Sequence, residues 1–196
     1  MALLLLMVFN LVACSPIKLP SVSYYTLGSA SGLADASTRG ASTKKTLLLN
    51  DIVASSGYTT NKMLYANIPY KLKAFADNAW VAPPATMLLP MLANRIRQTH
   101  YFSAVVTSPY VGAADYVLSA RLLVLQQEFL RPVSRVRMVL SVTVLNSRTH
   151  RVVGNRIFQS VAMAPRNNPY SGVLAANKDA QQIAFQVARY VKRKCA

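Results

Sequence analysis

The sequence predicts an α/β domain in which a mixed, largely antiparallel sheet is packed by two main helices. The first observation is that apolar and polar residues alternate over residues 134–145, which is typical of a strand with one buried face. The second is one apolar stripe at helical spacing from about residue 171 to the end. The third is the segment order of strands, helix, strands and helix, which two helices on one sheet satisfy economically.

Strand signals recur along the chain as short runs rich in β-branched and aromatic residues. Residues 45–53 contain three consecutive leucines and predict one strand buried on both faces. Residues 62–68 and 70–75 predict a hairpin that turns around Pro69, and a Gly-, Ala-, Ser- and Thr-rich stretch over residues 28–43 predicts a flexible loop. The other expected strands cover residues 22–27, 102–106, 115–129, 134–145 and 151–161.

Two segments have the pattern of helices. Pro83 and Pro84 open the first, because proline is tolerated at the first helical positions, and Pro90 is expected to kink this helix or delay its start. The second runs from about Ser171 to the C-terminus. Its apolar stripe consists of Ala176, Ala180, Ile183, Ala184, Val187 and Val191.

The N-terminus has the features of a secretory signal. An apolar run too short to span a bilayer ends in Leu11-Val12-Ala13-Cys14, which resembles the lipobox of bacterial lipoproteins. We therefore expect residues 1–13 to be a signal peptide, residues 14–22 a tether lipidated on Cys14, and residues 23–196 a single domain. The alternative is an ordinary buried segment with an incidental cysteine. No Lys or Arg precedes Lys18, which departs from the usual basic start.

The charge balance favours anionic partners. The 22 Lys and Arg residues against 6 acidic ones give a net charge of +16. A secretion signal and the even spread of the basic residues argue against nucleic acid. The one dense run is Lys192-Arg193-Lys194, with Arg189 a turn earlier. It is interpreted either as the cationic last turn of a helix or as a site for an anionic partner, which could be phospholipid headgroups or an acidic protein.

The sequence offers little for catalysis. His100 and His150 have no acidic residue nearby at ligand spacing, and no nucleophile elbow or phosphate-binding loop occurs. Glu128, the one glutamate, is expected at an exposed strand position. Cys195 reads as an unconstrained tail thiol or as one half of an intermolecular disulfide. We expect neither an enzyme nor a bound metal or cofactor.

Several segments together resemble the ABC-type transport auxiliary lipoprotein family. The most specific is the block of residues 70–80, Tyr-Lys-Leu-Lys-Ala-Phe-Ala-Asp-Asn-Ala-Trp, although Ala79 stands where the family commonly has Arg, and Pro90 is also unusual. The other matching segments are Tyr25-Thr26-Leu27, Gly57-Tyr58, Met63-Leu64-Tyr65, Pro83-Pro84-Ala85-Thr86-Met87-Leu88, Ala114-Asp115-Tyr116-Val117-Leu118 and Arg151-Val152-Val153.

The resemblance implies a fold like that of anticodon-binding domains and a lipid anchor, with palmitate among its acyl chains, on the periplasmic face of the outer membrane. Ser15 agrees with this placement, because Asp after the cysteine would favour the inner membrane. The implied partners are an Mce-domain protein of a Mla- or Pqi-type system, its ABC permease and ATPase, phospholipid, and other copies of the chain in a ring or oligomer.

Three aromatic residues are candidates for contact with a partner or lipid: Trp80, Tyr58 and Tyr70. Trp80 has two interpretations, as a core anchor beneath the start of the first helix or as an exposed contact. Tyr58, like Tyr24 and Tyr25, also has a core interpretation. Two other functions stay open, a periplasmic module that holds lipid in its own apolar cavity and a structural envelope lipoprotein.

Overall fold

The computed structural model describes residues 21–28 and 40–196. The predicted signal peptide, Cys14, most of the tether and most of the predicted loop over residues 28–43 therefore lie outside the described residues. The described part contains two helices, α1 (Pro84–Arg97) and α2 (Pro169–Cys195). Its strands are β1 (Ser23–Tyr25), β2 (Thr46–Leu49), β3 (Val53–Ala54), β4 (Lys62–Ile68), β5 (Lys71–Trp80), β6 (Ala104–Thr107), β7 (Tyr116–Glu128), β8 (Arg135–Asn146) and β9 (Arg151–Met163).

One long strand, β7, organises the sheet. Along one edge it pairs antiparallel with β8, which in turn pairs antiparallel with β9. Along its other edge it receives β2, β3 and β4 one after another, all parallel to it. Strand β6 extends the sheet beyond β2, while β5 and β1 extend it beyond β4. The predicted mixed, mostly antiparallel sheet with two helices is confirmed.

The helices cover one face of this sheet. Helix α2 packs on β8 and β9, and α1 packs against α2. The alternation predicted for β8 is confirmed, since its helix-facing side chains are almost entirely buried: Val136, Met138, Leu140, Val142 and Val144. Burial of each such side chain contributes roughly 1.5–3 kcal/mol to the free energy of unfolding. The layer between the sheet and the two helices forms the hydrophobic core.

Helix α1 contains Pro90 in its interior. The helix begins at Pro84, so its start is not delayed. Pro90 removes the N–H that would bond the carbonyl of Thr86 one turn earlier. Both residues lie on the exposed side of the helix, where water can bond that carbonyl.

Two strand predictions were wrong in their bounds. The single strand expected over residues 45–53 is divided into β2 and β3. The Asn50 N–H still donates to the Leu118 carbonyl of β7 at 2.9 Å, but pairing with β7 resumes only at Val53. The second strand of the hairpin continues five residues past Phe75 to Trp80, because β1 pairs with this last part of β5.

The N-terminal strand is held by both layers. Asn177 of α2 accepts a hydrogen bond from the Gly28 N–H at 2.7 Å and donates one to the Thr26 carbonyl at 3.2 Å. The N–H of Leu27 lies 3.4 Å from the sulfur of Met87. The chain therefore enters the fold along β5 and then crosses onto the helices.

Candidate functional site

The three aromatic candidates all belong to the β4–β5 hairpin or its approach, but the structure does not bring them together. Tyr58 precedes β4, Tyr70 lies at the hairpin turn and Trp80 ends β5. The ten residues of β5, at about 3.3 Å each, separate Tyr70 from Trp80 by roughly 30 Å. They therefore form three separate environments.

Trp80 lies in the hydrophobic core, where 4% of its surface is exposed. The backbone N–H of Trp80 donates to the carbonyl of Asn61 at 2.8 Å. The side chain lines a cavity of about 10 Å³ beside Gly172 and Ala176 of α2. This burial favours the interpretation of Trp80 as a core anchor.

Tyr58 begins a chain of polar side chains on the sheet face away from the helices. Its hydroxyl donates to Oε1 of Gln126 at 2.7 Å, and Nε2 of Gln126 donates to Oε1 of Glu128 at 3.1 Å. Burial raises the pKa of Tyr58, so the ring stays neutral and keeps its proton for this bond. Tyr58 is thus half-buried and bonded within the domain.

Glu128 is buried, so the exposed position we expected for it is wrong. Only 3% of its surface is exposed, and two arginines of β8 enclose the carboxylate. Nε of Arg137 donates to Oε1 at 2.6 Å, and Nε and Nη2 of Arg135 both donate to Oε2 at 3.0 Å. Strand alternation does place Glu128 on the open face, but its paired neighbours on β8 cover it there.

This cluster balances burial against charge. Burial opposes ionisation of Glu128, but the hydrogen bonds from Arg137, Arg135 and Gln126 outweigh it and lower its pKa. The carboxylate is therefore ionised, and the two arginines leave one net positive charge on the open face. A sequence signal for it exists, since the chain's one glutamate and Arg135 flank the β7–β8 turn with opposite charges.

Tyr70 differs from the other two candidates because its side chain is fully exposed. Its backbone lies in the left-handed region, with φ of 64°, which a bulky side chain rarely adopts. Ile68 and Leu72 beside it are also exposed, and Lys71 and Lys73 accompany them. The hairpin turn is thus an apolar, basic surface without a partner in the described residues.

Cys195 is fully buried, which makes the expectation of an unconstrained tail thiol wrong. It lies four residues after Val191 and extends the apolar stripe of α2 by one turn. Burial raises the pKa of the thiol to about 12, although Lys45 nearby opposes this. The Cys195 carbonyl accepts hydrogen bonds from the Lys45 ammonium and the Tyr101 hydroxyl, which hold the helix end in place.

Potential metal ligands and membrane-spanning helices were looked for in the part of the chain that the structure describes. No three His, Cys, Asp or Glu side chains gather there in a way that could hold a metal ion. His100 and His150 both lie in turns and have a positive φ, of 50° and 55°. Across residues 21–28 and 40–196, neither helix is long and apolar enough to cross a membrane.

A comparison with known protein families assigns the chain to a family. The sequence profile described as "ABC-type transport auxiliary lipoprotein component" matches residues 25–188. The chain belongs to the ABC-type transport auxiliary lipoprotein family. Membership confirms the resemblance seen in the sequence, and the description names a lipoprotein component that is auxiliary to ABC-type transport. No curated protein matches the sequence.

Solved structures agree on the fold of this auxiliary lipoprotein. A DUF330-family protein from Xanthomonas campestris is 15% identical, with a TM-score of 0.73 over 90% of this chain and 94% of that one. An uncharacterized protein is 13% identical, with a TM-score of 0.65 over 90% and 99%. A hypothetical protein from Chlamydia trachomatis is 9% identical, with a TM-score of 0.54 over 76% and 96%. At these identities the likeness shows the fold alone.

The most specific block of the auxiliary lipoprotein, residues 70–80, runs the whole length of β5 from the exposed turn to the core. Ala79, where the family commonly has Arg, pairs with Lys62 on one side and Tyr24 on the other. The hairpin therefore has a base at Trp80 that is buried in the core and a turn at Tyr70 that is exposed.

Proposed function

We propose that this lipoprotein is a non-catalytic component of an ABC/Mce-type intermembrane phospholipid transport system, of the Mla or Pqi kind. In this proposal it is held on the periplasmic face of the outer membrane and docks the Mce assembly there. The family match over residues 25–188 carries the proposal, because it names an auxiliary component of ABC-type transport. Acylation of Cys14 with more than one chain would give a stable anchor, whereas a single chain gives marginal binding.

The size of the described cavity bears on the alternative of a lipid-holding module. The cavity beside Trp80 measures about 10 Å³, and roughly 10–15 Å³ is needed for one water molecule. An acyl chain has no room there. This cavity of the described residues therefore gives no support to the alternative of a lipid-holding module.

The proposal is tested by recovering the partners. The full lipidated chain, tagged at its C-terminus, is purified from detergent-solubilised membranes, and co-purifying proteins are identified by mass spectrometry. We expect an Mce-domain protein together with an ABC permease and ATPase. Recovery of none of them, with an intact outer-membrane barrier after deletion of the gene, would leave the structural envelope lipoprotein as the better description.

The anchor is tested separately by metabolic labelling with a fatty-acid analogue. The natural chain should take up the label and fractionate with the outer membrane. Cys14→Ser should do neither, because it lacks the thiol that carries the lipid. Equal labelling of both proteins contradicts the assignment of Cys14.

A further inference from the structure

Two turns lie side by side at one end of the sheet. Strand β4 runs parallel to β7, with Ala66 level with Glu128, and the N–H of Phe129 bonds the Ala66 carbonyl at 2.8 Å. The β4–β5 turn and the β7–β8 turn therefore project from the same end of the sheet. Both expose apolar side chains, and we call this set the apolar end: Ile68, Tyr70, Leu72, Leu130 and Val133.

The charges beside the apolar end are all positive. Lys71 and Lys73 follow the first turn, and Arg131 lies exposed in the second. Glu128, the acidic residue nearest to the turns, is buried between two arginines. The other acidic residues of the described chain lie outside both turns: Asp51, Asp77, Asp115 and Asp179. An anionic surface would meet no exposed acid in either turn.

Tyr70 adds an independent observation. A tyrosine with φ of 64° carries backbone strain that Gly or Asn would relieve. Its side chain is fully exposed, so packing within the domain does not offset this strain. Because strained residues cluster at functional sites, this exposed aromatic residue marks the turn as a candidate contact surface.

The direction in which the chain enters the fold points to what that contact is. Strand β1 is parallel to β5 and pairs Ser23 with Asn78 and Tyr25 with Trp80. The chain before Ser23 therefore starts from the side that faces the β4–β5 turn. Cys14 is nine residues before Ser23, a reach of about 30 Å at 3.3–3.6 Å per residue. The seven residues from Asn78 back to Lys71 span about 23 Å, so Cys14 can reach the level of the turn.

We propose that the apolar end contacts the headgroup region of the membrane in which the lipid on Cys14 is inserted. This inference rests on the anchor in the proposed function, but not on the identity of the transporter. Tyr70, Ile68, Leu72, Leu130 and Val133 enter the boundary between headgroups and acyl chains, a depth that suits aromatic and aliphatic side chains of interfacial segments. Lys71, Lys73 and Arg131 keep their charges among anionic headgroups while their stems lie along the apolar surface.

The contact orients the domain. With the apolar end on the membrane, the opposite end of the sheet points away from it. That end carries the β8–β9 turn, because β8 runs from Arg135 at the membrane to Asn146 far from it. It also carries the last turn of α2 with Lys192, Arg193 and Lys194, since Lys194 lies close to Gly154 near the start of β9. This basic far end is then free for a protein partner.

The test places an environment-sensitive fluorophore at single cysteines in the full lipidated chain. Cys195 is buried and Cys14 carries lipid, so Tyr70→Cys and Val133→Cys each introduce the one thiol that reacts readily. Val152→Cys is the matched control, because Val152 is as exposed as Val133 but lies at the start of β9, at the opposite end of the sheet. The labelled proteins are reconstituted on vesicles of phosphatidylethanolamine and phosphatidylglycerol, with and without a lipid that carries a quencher.

We expect the labels at 70 and 133 to shift to shorter emission wavelength and to be quenched several-fold more than the label at 152. Adding Lys71→Glu and Arg131→Glu should reduce the quenching of the label at 133, since each basic residue near an anionic surface strengthens binding about fivefold. Equal quenching at 70, 133 and 152 would overturn the proposal. So would labels at 70 and 133 that stay in water on vesicles and become shielded only when a protein partner is added.

Failure of the anchor is read separately. A chain that does not take up a fatty-acid analogue and does not float with the vesicles contradicts the lipidation of Cys14. A chain that floats but leaves position 70 in water contradicts the orientation proposed here. Neither result depends on the Mce or ABC partners, which the vesicles do not contain.

Discussion

Strand β8 and the turn of the β4–β5 hairpin treat apolar residues in opposite ways. On β8 every second side chain faces the helices, and none of these is more than 2% exposed. At the hairpin turn Ile68, Tyr70 and Leu72 are exposed, although the base of the same hairpin buries Trp80. One region uses its apolar surface inside the fold, and the other presents it outside.

The difference separates stability from function in this protein. A side chain on β8 contacts α2, so its removal leaves a cavity. A side chain at the hairpin turn is exposed over two-fifths of its surface or more, and Tyr70 completely, so its removal costs the fold less. Substitutions that lower stability should therefore concentrate in the helix-covered layer, and those that affect contact with the membrane should concentrate at the apolar end.

The largest expected effect is that of Leu140→Ala. Leu140 is completely buried in the middle of β8, and a truncation of this kind costs about 2–5 kcal/mol. Chemical denaturation of the purified chain should show the loss as a lower midpoint with an unchanged slope. Ile157→Ala on the open face of β9 is the control, and its effect should stay below about 0.5 kcal/mol. Equal losses for the two would remove the contrast between layers.

A smaller loss is expected for Glu128→Gln. The neutral amide leaves Arg135 and Arg137 without their counter-charge, and hydrogen bonds between charged groups contribute about 1.5–3 kcal/mol. Since the arginines are a third exposed and recover water, we expect a loss of about 2 kcal/mol at pH 7.

The pH dependence checks the cause of that loss. The pKa of Glu128 is lowered in the fold, so its stabilisation is present above the ordinary value of 4.5 and is lost as the pH falls through the folded pKa. The unfolding free energies of the natural chain and Glu128→Gln should converge in acid. A gap that stays constant down to the acid limit would assign the loss to packing instead.

The Glu128 cluster also shows how far the sequence predicted this molecule. Periodicity and composition predicted the two helices, the strands β7, β8 and β9 and the buried face of β8, because these depend on residues close in sequence. It missed the burial of Glu128 and Cys195, since whether a residue on a given face is covered depends on residues of other elements. The prediction of one strand over residues 45–53 was likewise wrong, because it gave the three leucines more weight than the polar residues Asn50 and Asp51, which lie between β2 and β3.

For the candidate site the sequence selected Tyr58, Tyr70 and Trp80 but could not tell their environments apart. The parallel pairing of β1 with β5 leaves no mark in either strand alone. Leu130 and Val133 read as ordinary turn residues until the register of β4 against β7 places them beside Ile68. These features exist only in the assembled sheet.

Asp179 offers a change in the opposite direction, within the helix-covered layer. It is fully buried in α2, where burial raises its pKa from 3.8 to about 6, although hydrogen bonds from Ser160 and the Ala162 N–H oppose the rise. The folded protein therefore binds a proton more readily than the unfolded chain, and stability falls as the pH rises from about 4 to about 6.

Asp179→Asn should remove this dependence. The amide oxygen still accepts from the Ala162 N–H, which bonds the carboxylate at 3.2 Å, and no charge is buried. We expect a gain of about 1–2 kcal/mol at pH 7.5 and no gain near pH 4, where the acid is already neutral. Thermal unfolding across this range is the measurement, and a loss at pH 7.5 would show that the ionised form makes a stabilising contact.

The smallest expected effect on stability belongs to Tyr70→Asn, at the other pole of the comparison. Asn adopts the left-handed backbone region more readily than Tyr, and the fully exposed ring contributes no packing. The unfolding free energy should therefore change by less than about 0.5 kcal/mol, on the stabilising side. Trp80→Phe, at the buried base of the same hairpin, is the matched control and should lower stability by more than about 1 kcal/mol. A marked loss for Tyr70→Asn would mean that the ring serves the fold. Unchanged stability together with weaker membrane contact would mean that the hairpin carries the fold at one end and the contact at the other.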